Sequence, residues 1–247
     1  MLFAFLFAML CFFLTCLGGS IVFFVKKNNE KINAFLHSFA SGVMIASGIF
    51  SLIIPAISYC NDLNVLDYII LPVCFIFAGM VIYVLECFSK KTSEQNINTE
   101  TVLIGIMLHN IPEGMCVGFA FSTAVVLGTG AAFASAVMIA IGIGIQNIPE
   151  GSAVSFPLYS VGKSKAKAFF SSVKVASVEV PSAIVAYLVG TNLTILLPFM
   201  LAFSGAIMIA VPCLDLMPEA VKISKKMSIV CFFAGFIIMM LLDLALS

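Results

Sequence analysis

The sequence predicts an all-α integral membrane protein: eight transmembrane helices with inverted repeats, both termini extracytoplasmic. Three observations carry that expectation. The 247 residues are 62% hydrophobic and only 10% charged, with mean hydropathy +1.18, whereas a soluble domain is about half apolar and a quarter charged. Eight apolar segments each approach the ~20 residues needed to cross a hydrocarbon core. The basic residues fall in alternate connections between those segments.

The first segment, 2–25, lies in "MLFAFLFAMLCFFLTCLGGSIVFFV". It lacks a basic leader and is too long for the apolar core of a signal peptide, so it reads as a spanning helix. The others are 34–58, 68–88, 102–127, 131–158, 170–189, 193–220 and 227–246. Connections are short, and only 89–100 reads as a mobile polar loop. The whole chain, 1–247, is expected to be a single eight-helix transmembrane domain.

All twelve basic residues are lysines. Lys26, Lys27 and Lys31 lie in the first connection, Lys90 and Lys91 in the third, Lys163, Lys165, Lys167 and Lys174 in or just after the fifth, and Lys222, Lys225 and Lys226 in the seventh. The second, fourth and sixth connections have none. By the positive-inside rule the lysine-bearing loops are cytoplasmic. A net charge of zero argues against a nucleic-acid partner. The eight cysteines form no CxxC pair and read as small apolar packing residues. With no tryptophan the aromatic belt is thin, and the 24 phenylalanines read as lipid-facing and packing residues.

Two internal repeats stand out. Residues 105–119 align with 142–156: Gly-Ile opens both and Asn-Ile-Pro-Glu-Gly fills both centres. The copies sit on consecutive, hence antiparallel, helices, so equivalent groups meet near mid-depth. Inverted repeats with interrupted helices there are a signature of transporters. A weaker echo joins "SGVMIASGIFSLIIP" (41–55) to "SGAIMIAVPCLDLMP" (204–218).

The repeats place costly groups in lipid. His109 and Glu113 are four apart on one helical face, with Asn110 beside them; Gln146, Asn147 and Glu150 reproduce the arrangement. Pro112 and Pro149 free the carbonyls four residues back, which must find partners in protein, water or an ion. Gly114 and Gly151 let a neighbouring helix approach closely. A carboxylate at the bilayer centre costs about 2.5–3.5 kcal/mol on insertion scales, and Glu179 is a third such group. Carboxylates brought together repel, so one must hold a proton or all must share a cation. Imidazole, carboxylate and amide oxygen suit Zn²⁺, Fe²⁺, Mn²⁺ or Cd²⁺ better than Cu⁺, and the histidine disfavours Mg²⁺. Met44 and Cys116 are candidate softer ligands. The bland alternative is interhelical hydrogen bonding. A zincin needs HExxH, whereas these motifs read HNxxE and QNxxE, so an intramembrane metalloenzyme is disfavoured. His37 is expected at the interface, and Glu86 and Asp243 near water at helix ends. Asp215 and Glu219 line an exit path or merely face the Lys222 loop.

At these residues the sequence resembles the ZIP (Zrt-, Irt-like protein) family of divalent metal transporters over nearly the whole chain. "HNIPEG" resembles the helix-four signature and "QNIPEG" the helix-five signature of the bacterial, GufA-like branch. The resemblance implies a mid-membrane binuclear metal centre. One site would comprise Met44, His109, Glu113, Gln146 and Glu150; the adjoining site Asn110, Glu113, Asn147, Glu150 and Glu179, with Glu113 and Glu150 bridging. Many members have His where Gln146 stands, and some bacterial ones Asp where Asn147 stands, so this centre is less charged. The helix-seven His-acid pair is replaced by Leu214-Asp215, and the loop between helices three and four has no histidine. The expected function is alternating-access transport of a divalent transition metal, zinc first, into the cytoplasm, with no cofactor beyond the transported Zn²⁺ and no enzyme activity. The resemblance also implies a homodimer, and the expected location is the plasma membrane. A metal-selective channel using the same residues is the rival reading.

Overall fold

The computed structural model describes residues 1–25, 30–60, 67–92, 99–160, 162–192 and 196–246; some helical side chains, those of His109 and Glu86 among them, lie outside the description. Among the described residues ten α-helices follow one another: α1 (Leu2–Ser20), α2 (Glu30–Ser47), α3 (Ile54–Cys60), α4 (Asp67–Thr92), α5 (Thr99–Leu127), α6 (Gly130–Ser160), α7 (Lys165–Ala176), α8 (Glu179–Gly190), α9 (Leu196–Val211) and α10 (Met217–Leu246). Among the described residues there is no strand.

Among the described residues six helical stretches are long and apolar enough to cross a membrane. They are fewer than the eight apolar segments for two reasons. The stretch Leu196–Ala245 runs 50 residues, which at 1.5 Å per residue is about 75 Å, more than twice a hydrocarbon core. It takes in both the seventh and eighth apolar segments, and it bends at Ser224 (φ −159°, ψ 95°) between Lys222 and Lys225. The described apolar part of the third segment, Leu71–Val84, is shorter than a full span.

Two expected helices widen near their ends. A π-helical turn, Gly48–Ile53, joins α2 to α3, and another, Pro212–Leu216, joins α9 to α10. Each precedes a proline. Pro55 and Pro218 have no N–H to offer the carbonyls of Ser51 and Leu214, both inside the widened turns, and the ladder shifts to i→i+5 bonding there. Ile54 N–H bonds Ile49 O, and Met217 N–H bonds Pro212 O. The two turns fall at matching places in the 41–55 and 204–218 echo, so that echo has a structural counterpart.

The sixth apolar segment, expected to be continuous, is broken. α7 ends at Ala176 and α8 begins at Glu179, with Ser177 and Val178 between them. Pro181 explains the break, because it cannot donate to the Ser177 carbonyl and sits at the third residue of α8, where helices tolerate proline.

The tightest pairs are parallel: α1 with α6, α2 with α10, α4 with α9 and α5 with α8. Small residues bring backbones together. A Cβ on Gly42 would strike the backbone of Phe232, and one on Gly235 that of Phe39. Gly18 lies against Ile148, and the Cys11 thiol donates to Ala140 O at 3.5 Å. Cys74 Sγ donates to Phe199 O at 3.6 Å between α4 and α9. α5 and α6, joined by the short 128–129 turn, also touch each other and form the centre, with α2 against α6 and α9 against α5. At one end of the bundle Lys165 Nζ donates to Phe23 O at 2.8 Å and lies 5.5 Å from the Tyr159 ring. The ends of α1 and α6 and the start of α7 therefore meet. Large apolar side chains such as Phe13, Leu17, Ile76 and Leu241 face outward.

Candidate metal centre

The glycine of each repeated motif decides which third helix reaches it. A Cβ on Gly114 would collide with Ser182 Oγ and the Glu179 carbonyl, so α8 starts against α5 there. A Cβ on Gly151 would collide with the Thr15 carbonyl, so α1 passes against α6. The close approach expected of these glycines thus delivers Glu179 and Thr15 to the polar faces of the two motifs.

Asn110, Glu113, Gln146 and Asn147 are completely buried; Met44 and Glu179 are 1% exposed and Glu150 3%. Glu179 sits among polar groups of three helices. Asn110 Nδ2 donates to its Oε1 at 3.1 Å and Asn147 Nδ2 to its Oε2 at 3.0 Å, and the Thr15 hydroxyl lies 3.2 Å from both Oε1 and Cys11 O, with one proton for the two. Asn147 Nδ2 also reaches Cys11 O at 3.4 Å. Glu113 interacts electrostatically with both Glu150 and Glu179 and has Gln146 beside it. The Gln146 nitrogen is directed to Met208 Sδ at 3.7 Å.

What remains unsatisfied is of one kind. Asn110 Oδ1, Glu113 Oε1 and Oε2, Gln146 Oε1 and Asn147 Oδ1 are buried oxygens with no hydrogen-bond donor. Buried polar groups in proteins are nearly always paired. Five acceptors gathered on two adjacent helices, with the Gln146 amide beside the Glu113 carboxyl, form an oxygen-rich environment that a cation relieves. Among the described residues, no three His, Cys, Asp or Glu side chains close around one point. Amide oxygens are therefore needed to complete a shell of described ligands. Oxygen donors with one carboxylate pair fit a divalent ion of hard to borderline character.

Of the eight residues expected at the centre, Asn110, Glu113, Gln146, Asn147, Glu150 and Glu179 come together. Met44 is buried in the same apolar cluster as Cys116 and Met208. His109 lies on α5 with its side chain outside the described residues. Sequence reasoning missed Thr15, the Cys11 carbonyl and Met208. The 41–55 and 204–218 echo pointed at Met208, which follows its Ser-Gly by one position more than Met44 does. Nothing in the pattern marked Thr15.

Other polar residues sit apart. His37, expected at the interface, is 1% exposed, with Nδ1 3.5 Å from Glu219 Oε2. Asp215 and Glu219 are exposed. Asp243, expected near water, accepts a short hydrogen bond from Ser51 Oγ, and Ser47 donates to Ser51 Oγ at 3.3 Å. These flank an open cavity of about 200 Å³ lined by Ser51, Ile54, Ser135, Met138, Ile139 and Asp243. Ser51 lies seven residues after Met44 and Ile139 seven before Gln146, which puts the cavity about 10 Å along the helices from the polar cluster.

A family model for the ZIP zinc transporter matches residues 86–243. Among curated proteins, zinc transporter ZIP11 of Xenopus tropicalis is 42% identical over 148 residues, 59% of this chain and 44% of the relative. Zinc transporter ZIP11 of Homo sapiens is 38% identical over 147 residues, 59% of this chain and 43% of the relative. The chain thus spans less than half the length of the curated relatives it matches.

Proposed function

The chain belongs to the ZIP zinc transporter family, and on that premise we propose that it carries a divalent transition metal, zinc first and iron, manganese or cadmium behind it, into the cytoplasm. The single observation that carries the reading is the set of five buried acceptor oxygens without donors on α5 and α6. His109, Glu113, Gln146 and Glu150 hold the ion, with Met44 beside it. Asn110, Asn147 and Glu179 line the adjoining half of the centre.

Eight spans with both termini outside follow from the lysine alternation and from the length of the Leu196–Ala245 stretch, which accommodates two crossings. The whole chain is one transmembrane domain, in the plasma membrane, and pairs as a homodimer. In that orientation the cavity beside Asp243 lies on the outer side of the centre and serves as its approach. The ion exchanges water for carboxylate and amide oxygens in stages, and release inward follows as one helix group moves against the other. Protonation of Glu113 or Glu150 assists release, because only the ionised carboxylate binds the ion strongly. A transport rate flat from mildly acidic to neutral pH removes that step.

The test is metal uptake into reconstituted vesicles by the full chain, His109→Ala and Glu150→Ala, across a panel of divalent ions. Saturable, strongly temperature-dependent zinc uptake by the wild type and near-background uptake by both variants is expected. Equal uptake by all three overturns the assignment, and weak temperature dependence favours a channel.

A further inference from the structure

We propose that His37 and Glu219, with the Asn33 amide oxygen beside them, form a further divalent-metal site where α2 meets the start of α10. As a step in transport the site rests on the reading above; as a binding site it stands by itself.

His37 is 1% exposed, yet neither ring nitrogen has a hydrogen-bond partner. A neutral imidazole carries one N–H and one lone pair, and buried polar groups are seldom left unmatched. Glu219 faces the ring from α10, with Oε2 3.5 Å from Nδ1. That spacing exceeds the roughly 2.7–3.2 Å of an N–H···O bond. It matches two ligands of one tetrahedral ion, since bonds of about 2.1 Å set neighbouring donor atoms about 3.4 Å apart. The pair is spaced to hold an ion between its atoms rather than a proton.

Asn33 lies one turn earlier on the same face of α2, and its Oδ1 is buried without a donor. Among the described residues no third His, Cys, Asp or Glu closes on the pair, so the amide and water complete the shell. Imidazole with carboxylate and amide oxygen suits a borderline ion such as Zn²⁺ or Cd²⁺. The Glu219 side chain is 61% exposed, so water reaches the carboxylate and the ion can leave on that side. Lys222 follows Glu219 by three residues, and its positive charge weakens the hold. Two anchoring side chains with an open flank favour brief residence over storage.

The place along the helix fits a step in transport. His37 precedes Met44 by seven residues and Ser51 follows it by seven. The pair therefore lies about 10 Å from Met44, on the side away from the cavity beside Asp243. In the proposed orientation that side is cytoplasmic, so an ion leaving the centre meets His37 and Glu219 next.

The experiment counts cadmium bound at saturation by the purified full chain in lipid nanodiscs, using equilibrium dialysis and elemental analysis. Glu219→Ala and His37→Ala are each expected to hold one Cd²⁺ fewer than the wild type. The double variant should also lose one and not two, because both side chains serve one ion. Glu219 is exposed, so its comparison with the wild type stands even if His37→Ala does not fold. Equal counts in Glu219→Ala and the wild type overturn the inference, and a loss of two in the double variant overturns the shared site. Zinc uptake into vesicles by Glu219→Ala is expected to fall severalfold; uptake equal to the wild type overturns the site's place on the path. Glu150→Ala binding as many ions as the wild type removes the centre, and the transport reading with it, while leaving this site intact.

Discussion

Thr15 is a hydroxyl in the middle of a helix that is apolar up to Ser20 at its end, and it lies 3.2 Å from Glu179 Oε1 across the bundle. Glu179 in turn lies against the side-chain nitrogens of Asn110 and Asn147, so the hydroxyl borders the polar cluster. Thr15→Val keeps the shape and removes the donor, and cadmium affinity is expected to drop by about tenfold. Thr15→Ser keeps the donor and should hold affinity near the wild-type value. Titration of both variants in nanodiscs checks this, and equal affinity in the two would show that the hydroxyl does nothing for the centre. The conspicuous polar residues that the fold gathers were legible in the sequence because Asn, Gln and Glu are costly in lipid and occur twice in one order. Thr15 and Met208 were not, since threonine and methionine are ordinary in spanning helices. The sequence also could not tell which end of an amide faces which neighbour. That follows from the carboxylate between the two asparagines, and hence from three helices brought together in space.

At the scale of elements, close helix pairs stand on glycines, and their importance is graded by what surrounds them. A methyl at Gly114 would meet Ser182 Oγ and the Glu179 carbonyl, whereas one at Gly79 meets nothing within 4 Å. Gly114→Ala is expected to destabilise by roughly 1–3 kcal/mol through overpacking and to displace Glu179 as α8 moves off. Gly79→Ala, on the same argument, is neutral or stabilising by up to about 1 kcal/mol through helix propensity. Thermal unfolding in detergent, with cadmium affinity beside it, measures both, and similar melting temperatures for the two variants would refute the grading. Segment positions were legible because a hydrocarbon core demands long apolar runs. The break at Ser177–Val178 was signalled by Pro181 but masked by the apolar residues that run through it. The π-helical turns had signals in Pro55 and Pro218, and their matching places are visible only once the backbone is known.

The whole molecule is organised as parallel helix pairs, and Lys165 of α7 reaches Phe23 O just past the end of α1. The proposed orientation makes the lysine-bearing connections cytoplasmic. Single cysteines placed in a cysteine-free chain test this in cells. Thr129→Cys, between α5 and α6, should react with a membrane-impermeant maleimide from outside, and Lys163→Cys only after permeabilisation; the opposite pattern inverts the topology and the proposed direction of transport. The long apolar helices could be read from composition, because a bilayer imposes them on any sequence; the sidedness is a proposal drawn from charge alone. The pairing of helices could not, since it depends on which small residues meet across helices far apart in the chain.

The central claim is that acidic and amide oxygens of α5 and α6 share a divalent ion at mid-depth. Anomalous diffraction from crystals grown with cadmium tests it most directly. A strong peak within coordination distance of both Glu113 and Glu150 is the predicted result. Peaks only elsewhere, or none between those two carboxylates at saturating cadmium, would contradict it.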